Sequence, residues 1–338
     1  MNISFSFFSF SKKLFPFLLV FLMIVSTITL SAKNETRGRT FYIQWDAPDG
    51  GDGSPDHPFN NIQDGIDTSS SGDTVYIYPG LYNDQNYLVD KSITIRGENK
   101  TTTIVTNPLD AGFLFTVTAD NVTFTNIDFE NSGPFAPYRK ILVQGDGCLI
   151  TDNIFSDFLL FSCTLGIMID GANHTIISNN IFGIFDTSCF QMASAITINN
   201  SYDTCIENNI FSALYAISML LKHSYNTIIR NNEVHNIVSL IYSFNTTISY
   251  NNLPGTHALA FSNSSDNYIF CNNFGRHGLK EQWKTGNQIT FLDSDTLFDG
   301  NYWGRSRLLP KFIFGHNQGK LVIEIDKHPA KDFIQPTV

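Results

Sequence analysis

Short apolar runs alternate with polar, asparagine-rich turns along most of the chain. The runs before the turns, such as residues 175–178 and 227–230, are rich in Ile, Val and Thr, which favour β-strands. A second β-rich run opens most units, as at residues 166–169. Polar clusters such as residues 170–173 separate the two runs and are typical of turns. The pattern therefore predicts short strands joined by turns.

An asparagine recurs at the turn that ends each unit, at intervals of 20 to 29 residues. The recurring positions are Asn126, Asn153, Asn180, Asn209, Asn232, Asn252, Asn273 and Asn301. The residue four positions earlier is apolar in every unit: Val122, Leu149, Ile176, Cys205, Ile228, Ile248, Ile269 and Leu297. A period of this length indicates one supersecondary unit that stacks on copies of itself.

Strands that recur without helices between them can pair in parallel if the chain winds as a solenoid, with coils about 4.8 Å apart. Because side chains alternate between inside and outside, each offset should form one column through the stack. We expect the apolar residues to lie on one interior line and the asparagines to form a hydrogen-bonded amide ladder. Phe155, Phe182 and Phe211 should stack ring on ring. The predicted fold class is all-β, a single-stranded parallel β-helix.

The first 32 residues have the layout of a secretory signal. Lys12 and Lys13 precede an apolar run, and small residues end at Ala32. We expect cleavage after Ala32; retention as an uncleaved anchor is the alternative, although the apolar run is short for a membrane span. No later stretch is long and apolar enough to span a bilayer, so the predicted location is secreted or at the cell surface.

The rest of the chain divides into an N-terminal cap with the first coil (33–80), the coils (81–301) and an irregular C-terminal cap or tail (302–338). The cap should contain a short helix from Asn61 to Asp67, with Ile62 and Ile66 on one face. A solenoid needs caps because its open ends expose the core and unpaired strand edges.

Three segments near the start carry a family resemblance, namely residues 52–66, 72–82 and 90–98. They resemble the opening of the right-handed parallel β-helix surface proteins, the pectate-lyase-like proteins with their NosD-type group. The Gly-Asn-Tyr-Trp element at residues 300–303 is similar to one common in NosD-type chains. The resemblance covers roughly residues 40–305 and implies the fold and its right-handedness, which parallel crossovers also favour. It says little of activity, because one fold hosts many functions.

Composition narrows the range of partners. The formal net charge is −10 and only 15% of residues are charged, without a basic cluster, so nucleic acid is not an expected partner. The five cysteines are an odd number for an exported protein, which leaves at least one unpaired or in an intermolecular link. Seven Asn-x-Ser/Thr sequences follow the signal and permit glycosylation where the host performs it.

Candidate chemistry is sparse. A polar stretch near the end holds His277, Glu281, Asp293 and Asp295, which are the catalytic candidates, since β-helix hydrolases and lyases group carboxylates on one face. An ordinary polar loop between coils is the alternative.

The acidic loop with Asp46, Asp49 and Asp52 could bind calcium or be a solvated turn. No other cofactor is expected. NosD-type proteins are associated with copper-site maturation, but the chain has no Met/His or Cys/His cluster for copper.

We therefore expect an exported, non-catalytic β-helix protein that binds carbohydrate or serves a structural role in the cell envelope. Its partner would be a polysaccharide or an envelope glycan, and exposed Tyr202, Tyr225, Tyr242 and Tyr250 could stack on sugar rings or cover core edges. The alternatives are a polysaccharide lyase or glycoside hydrolase of the pectate-lyase-like fold, and a NosD-like accessory protein for metal-site maturation.

Overall fold

The structure is a computed structural model. It describes residues 38–83, 86–107, 112–131, 139–156, 165–183, 194–212, 217–255, 258–275, 289–291, 296–303, 309–317 and 320–335. The predicted signal segment and the four catalytic candidates lie outside these residues.

Short strands make up most of the described chain. In chain order they are β1 (Thr40–Ile43), β2 (Thr74–Ile77), β3 (Gly80–Asn83), β4 (Tyr87–Val89), β5 (Thr94–Gly97), β6 (Thr103–Asn107), β7 (Phe113–Val117), β8 (Thr123–Thr125), β9 (Asp128–Asn131), β10 (Arg139–Val143), β11 (Leu149–Thr151), β12 (Ile154–Phe155), β13 (Leu165–Asp170), β14 (Ile176–Ser178), β15 (Ile181–Phe182) and β16 (Ser194–Asn199). The series continues with β17 (Cys205–Glu207), β18 (Ile210–Phe211), β19 (Ile217–Lys222), β20 (Ile228–Arg230), β21 (Glu233–Val234), β22 (Val238–Ile241), β23 (Thr247–Ser249), β24 (Asn252–Leu253), β25 (Leu259–Ser262), β26 (Asn267–Phe270), β27 (Asn273–Phe274), β28 (Ile289–Phe291), β29 (Thr296–Asp299), β30 (Tyr302–Trp303), β31 (Lys311–Asn317) and β32 (Lys320–Asp326). One helix, α1 (Ile62–Thr68), lies between β1 and β2.

Three long parallel sheets form the walls of a solenoid. Sheet A has the order β1-β2-β5-β8-β11-β14-β17-β20-β23-β26-β29, sheet B has the order β3-β6-β9-β12-β15-β18-β21-β24-β27-β30, and sheet C has the order β28-β25-β22-β19-β16-β13-β10-β7-β4. Each complete coil passes from sheet C to sheet A and then to sheet B. The predicted all-β, single-stranded parallel β-helix is confirmed.

The expected interior line four residues before each asparagine is wrong. Ile176 and Ile228 face outward from sheet A and are 40% and 39% exposed, and Leu297 is 68% exposed. The interior line of sheet A consists of Phe124, Ile150, Ile177, Ile206, Ile229, Ile248, Ile269 and Phe298. Ile248 and Ile269 are the predicted residues that lie on it.

The error is one of register, because the interior residue lies three positions before Asn153, Asn180, Asn209, Asn232 and Asn301, and a one-residue shift moves a side chain to the other face of a sheet. Ile248 and Ile269 lie on the line because Asn252 and Asn273 are the second members of asparagine pairs and are themselves displaced by one residue. The prediction of the fold is unaffected by this error, because the period of the repeat, and not the face on which a side chain lies, determines that the coils stack.

The amide ladder follows the corrected register at the corner between sheets A and B. Its members are Asn153, Asn180, Asn209, Asn232, Asn251, Asn272 and Asn301. The Oδ1 atom of each asparagine after the first accepts the backbone N–H of the preceding member at 2.9 Å and its Nδ2 at 3.0–3.2 Å. The ladder satisfies backbone donors that would otherwise be buried without a partner.

Three of the predicted ladder residues are not members. Asn252 and Asn273 lie one residue beyond it, as the first residues of β24 and β27. Asn126 lies one residue before the corresponding position, where Ile127 donates its N–H to Asn153 Oδ1 at 3.0 Å. Asn126 instead adopts a φ of +59°, a left-handed conformation that asparagine tolerates in turns.

Aromatic rings stack inside sheet B as predicted. Phe155 lies 4.7 Å from Phe182, and Phe182 lies 4.7 Å from Phe211, with ring planes within 10° of parallel. Phe129 extends the stack at 4.9 Å from Phe155. The predicted ring stacking is confirmed.

The two ends of the stack are covered in different ways. Helix α1 begins after Asn61, whose side chain accepts the N–H of Gln63, and it buries Ile62 and Ile66. At the other end β31 and β32 form an antiparallel hairpin. Its Asp326 accepts from the backbone N–H and Nδ2 of Asn301 at 3.0 and 3.2 Å, so a carboxylate terminates the amide ladder.

Candidate functional site

The calcium candidates have separate hydrogen-bond partners. Gln44 donates to Asp46 Oδ1 at 2.8 Å, and Asn60 donates to Asp49 Oδ1 at 2.6 Å. Asp52 Oδ1 accepts the N–H of Ser54 at 2.9 Å, and the hydrogen bonds from Ser54 lower its pKa. Among the described residues, no three His, Cys, Asp or Glu side chains are grouped to hold a metal ion. Calcium binding stays a prediction.

The tyrosines singled out from the sequence stack mainly on their neighbours. At the corner between sheets C and A, Tyr202 stacks on Tyr225 at 5.1 Å, and Tyr225 on Phe244 at 5.4 Å. Tyr242 stacks on His223 at 5.1 Å, with ring planes 3° apart. These ring contacts join neighbouring coils, while Tyr202 and Tyr242 stay 47% and 45% exposed.

Tyr250 behaves in the same way. It packs edge-on against Phe270 at 5.7 Å. The neighbouring Cys271 raises the pKa of the Tyr250 hydroxyl.

The first three strands of sheet A carry an aromatic surface that the sequence analysis missed. We call it the amino-terminal patch, and its residues are Tyr42, Trp45, Tyr76, Tyr78, Arg96 and Glu98. Tyr42, Tyr76 and Arg96 share one outward row, because β1 pairs with β2 and β2 with β5 in register. The intervening side chains, such as Val75 and Ile77, are fully buried. The sequence feature that could have indicated this surface is the placement of tyrosines at alternate positions of apolar strands.

The three tyrosines of the patch form a triangle. Ring centroids are 5.6 Å apart for Tyr42 and Tyr76, 5.7 Å for Tyr42 and Tyr78, and 5.6 Å for Tyr76 and Tyr78. The Arg96 guanidinium lies 5.8 Å from the Tyr76 centroid, within the range of a cation–π contact. The rings pack on one another on the outer surface with their planes 24° to 81° apart, and we call the three rings the platform.

Trp45 follows Tyr42 by three residues and is 55% exposed. Its indole lies directly against Gly80, where a Cβ would come within 2.1 Å of Trp45 Cδ1. Any side chain at position 80 would therefore displace the ring. The glycine holds the indole close to the backbone while leaving more than half of it open to solvent.

Two carboxylates and one guanidinium act on the tyrosines of the patch. Burial, and next the charge of Glu98, raise the pKa of Tyr76. Burial also raises the pKa of Tyr78, with further contributions from Tyr42, Glu98 and Asp56. The hydroxyls of Tyr76 and Tyr78 therefore stay protonated at neutral pH. Arg96 is the cation in contact with a patch ring.

A second polar cluster lies between sheets B and C. Lys140 is 1% exposed and donates to the Ser156 carbonyl at 2.7 Å, and Ser156 Oγ donates to Asp128 Oδ1 at 2.6 Å. Burial raises the pKa of Asp128 against the opposing effects of Ser156 and Lys140. Burial and the charge of Asp128 raise the pKa of Glu130. In this structure Lys140 compensates buried carboxylates and does not face solvent.

Comparison with solved structures identifies the fold. The complex of XylC with xylose superposes with a TM-score of 0.51 at 9% identity, covering 78% of this chain and 83% of that one. PfbA, a surface adhesin of Streptococcus pneumoniae, gives 0.49 at 11% identity, covering 80% and 95%. A mannuronic acid specific family 6 polysaccharide lyase from human gut microbiota gives 0.44 at 14% identity, covering 75% and 73%. The chain has the right-handed parallel β-helix fold of the pectate-lyase-like proteins.

No family model matches the sequence. No curated protein matches it either. Within the described residues, none of the helical structure has the length and apolarity of a membrane span.

Proposed function

We propose that this chain is an exported, non-catalytic β-helix protein that binds a neutral carbohydrate at the amino-terminal patch. The observation that carries the proposal is the exposed Trp45 indole, held against Gly80, which follows Tyr78 of the three-tyrosine platform by two residues. Sugar rings combine apolar C–H faces with hydroxyl edges, and aromatic side chains with polar tips complement both.

The polar groups of the patch match the hydroxyls of a sugar. Arg96 offers several fixed N–H donors, Glu98 offers acceptors, and the tyrosine hydroxyls can do either. Because the platform is braced and Trp45 is confined by Gly80, little conformational freedom would be lost on binding.

The acidic surroundings favour neutral sugars over polyuronates. Glu98 and Asp56 lie close enough to affect the pKa of Tyr78, and the whole chain carries a formal charge of −10. A carboxylate-bearing polymer would meet like charge at this surface. XylC, which shares the fold, is described in complex with xylose, a neutral sugar, and this supports the same ligand class here.

The test is a glycan array of neutral and acidic oligosaccharides, followed by titration of the best ligand. Trp45→Ala should weaken binding about tenfold, since an aromatic contact contributes on the order of 1 kcal/mol or more. Tyr202→Ala is the matched control, because Tyr202 is 47% exposed but lies at another corner of the coil. Equal losses in the two variants, or a preference for polyuronates, would contradict the proposal.

The same purified protein also tests the alternative that the chain is an enzyme acting on the glycan. Reducing-sugar and unsaturated-uronate assays on the bound glycan should show no turnover. Turnover lost in Asp293→Ala or Asp295→Ala would instead establish a hydrolase or lyase. Repeating the titration with added calcium and with a chelator tests the calcium prediction for the acidic loop.

A further inference from the structure

One row of polar side chains lies inside the corner between sheets C and A. It occupies the same position in six successive coils, and we call it the threonine row. Its members are Thr175, Thr204, Thr227, Thr246, Asn267 and Thr296. Each is at most 1% exposed.

Six side-chain polar atoms of this row have no protein partner, although Asn267 Oδ1 accepts the backbone N–H of Thr246 at 2.9 Å. Within the described residues, nine buried side-chain N or O atoms have no hydrogen bond, and six of the nine belong to the threonine row. They are the five threonine hydroxyls and Nδ2 of Asn267. A scattered set would suggest local irregularities, whereas a continuous row indicates one shared cause.

The neighbouring serine row shows that this corner can satisfy hydroxyls. Ser201, Ser224, Ser243 and Ser264 are fully buried. Each hydroxyl donates to the carbonyl two residues earlier in its own coil, at 2.7–3.1 Å. The threonine row lies three residues further along each coil and lacks such an acceptor. Because buried hydroxyls in native proteins are normally hydrogen-bonded, the threonine row needs a partner from outside the chain.

We propose that the threonine row binds a file of ordered water molecules, each bridging polar groups of adjacent coils. Ser178 and Thr151 bond directly across adjacent coils at 3.0 Å, but the hydroxyls of the threonine row make no such bond. Where two hydroxyl oxygens keep the coil spacing of about 4.8 Å, one water between them makes two bonds of about 2.7 Å at a bent angle. Buried waters typically bind otherwise unsatisfied polar groups in this way.

The chemistry of the row selects water over a cation. A threonine hydroxyl can donate or accept, but the unpartnered atom of Asn267 is an Nδ2, which only donates. A cation would be repelled at that position. The ligand must both donate and accept, and it must fit between two coils, which describes a water molecule.

The test compares crystal structures and urea unfolding of the full chain, the double variant Thr204→Val/Thr227→Val and the control Ser224→Ala. Valine keeps the shape of threonine and removes the hydroxyl. We expect solvent density within hydrogen-bond distance of both Thr204 and Thr227 in the wild type. The density should be absent from the double variant and present in Ser224→Ala.

The stability of the double variant provides the second readout. If water bridges the hydroxyls, their removal should lower the urea midpoint. If the hydroxyls are simply unsatisfied, valine should leave the midpoint unchanged or raise it, and that result overturns the proposal. Wild-type crystals without density along the row also overturn it, and this measurement stands even if the double variant does not fold.

Discussion

The asparagine pair at 208–209 allows a sharp test of the ladder, because neighbouring residues of the same type have opposite roles. Asn209 is 1% exposed. Its Oδ1 accepts the N–H of Asn180 at 2.9 Å, and its Nδ2 donates to the carbonyls of Ile177 and Glu207 at 2.9 and 3.0 Å. Asn208 is exposed and supplies a φ of +57° to the turn.

Replacing Asn209 by alanine should destabilise the protein by about 2–6 kcal/mol. The Asn180 N–H would lose its side-chain acceptor in the core, and an orphaned buried donor costs about 1–3 kcal/mol. Each of the two lost donations from Nδ2 adds about 0.5–1.5 kcal/mol. This is a large part of the roughly 5–15 kcal/mol that stabilises a typical protein.

The assay is urea-induced unfolding monitored by far-UV circular dichroism, with linear extrapolation to water. Asn208→Gly is the control, because glycine adopts positive φ readily and exposed substitutions usually change stability by no more than about 0.5 kcal/mol. Equal losses for the two variants would refute the assignment of the ladder to Asn209. A loss below about 1 kcal/mol for Asn209→Ala would refute the energetic role given to the ladder.

Three further predictions concern buried ionisable groups. Asp326 Oδ2 accepts hydrogen bonds from Asn301 and from Trp303 Nε1. Asp326→Ala should therefore lower the free energy of unfolding by about 3–5 kcal/mol in urea, and Asp326→Asn should lower it less. Equal losses would show that a neutral acceptor contributes nothing there. Burial raises the pKa of Asp128, so the protonated carboxyl stabilises the folded protein. This stabilisation is fully present below the unfolded pKa of about 4 and is lost as pH rises through the folded pKa. The stability of Asp128→Asn relative to wild type should therefore increase from pH 3.5 to pH 7, and a pH-independent difference would contradict this. Burial raises the pKa of Cys148 to about 11. At pH 8 iodoacetamide should therefore alkylate Cys148 far more slowly in the native than in the unfolded protein, which mass spectrometry of the Cys148 peptide can measure. Similar alkylation rates in the two states would show that the thiol is accessible.

The repeat could be predicted from sequence because each coil places its strand and its turn asparagine at similar offsets. The helix around Ile62 and Ile66 and the stacking of Phe155 on Phe182 were predictable for the same local reason. The faces of sheet A were not, since Ile176 and Ile177 are equally apolar, and only pairing shows which of them points inward.

The amino-terminal patch was hidden for a different reason. Trp45 and Gly80 are far apart in sequence, and their contact exists only once the first coil has closed. The tyrosines that the sequence did suggest as sugar contacts, such as Tyr202 and Tyr225, pack on one another as the patch tyrosines do. The exposed Trp45 indole against Gly80 is what distinguishes the patch, and composition alone could not show that contact.

The sequence by itself determined that this chain forms a stack of parallel coils, because a repeated pattern of short strands and asparagine turns can bury its apolar residues in few other ways. Only the tertiary structure decided which asparagine of each pair enters the ladder, which isoleucines face the core and where an aromatic surface remains open. Periodicity specifies how often the chain returns, whereas a shift of one residue reverses the direction of every side chain, and contacts across coils are what select between the two registers.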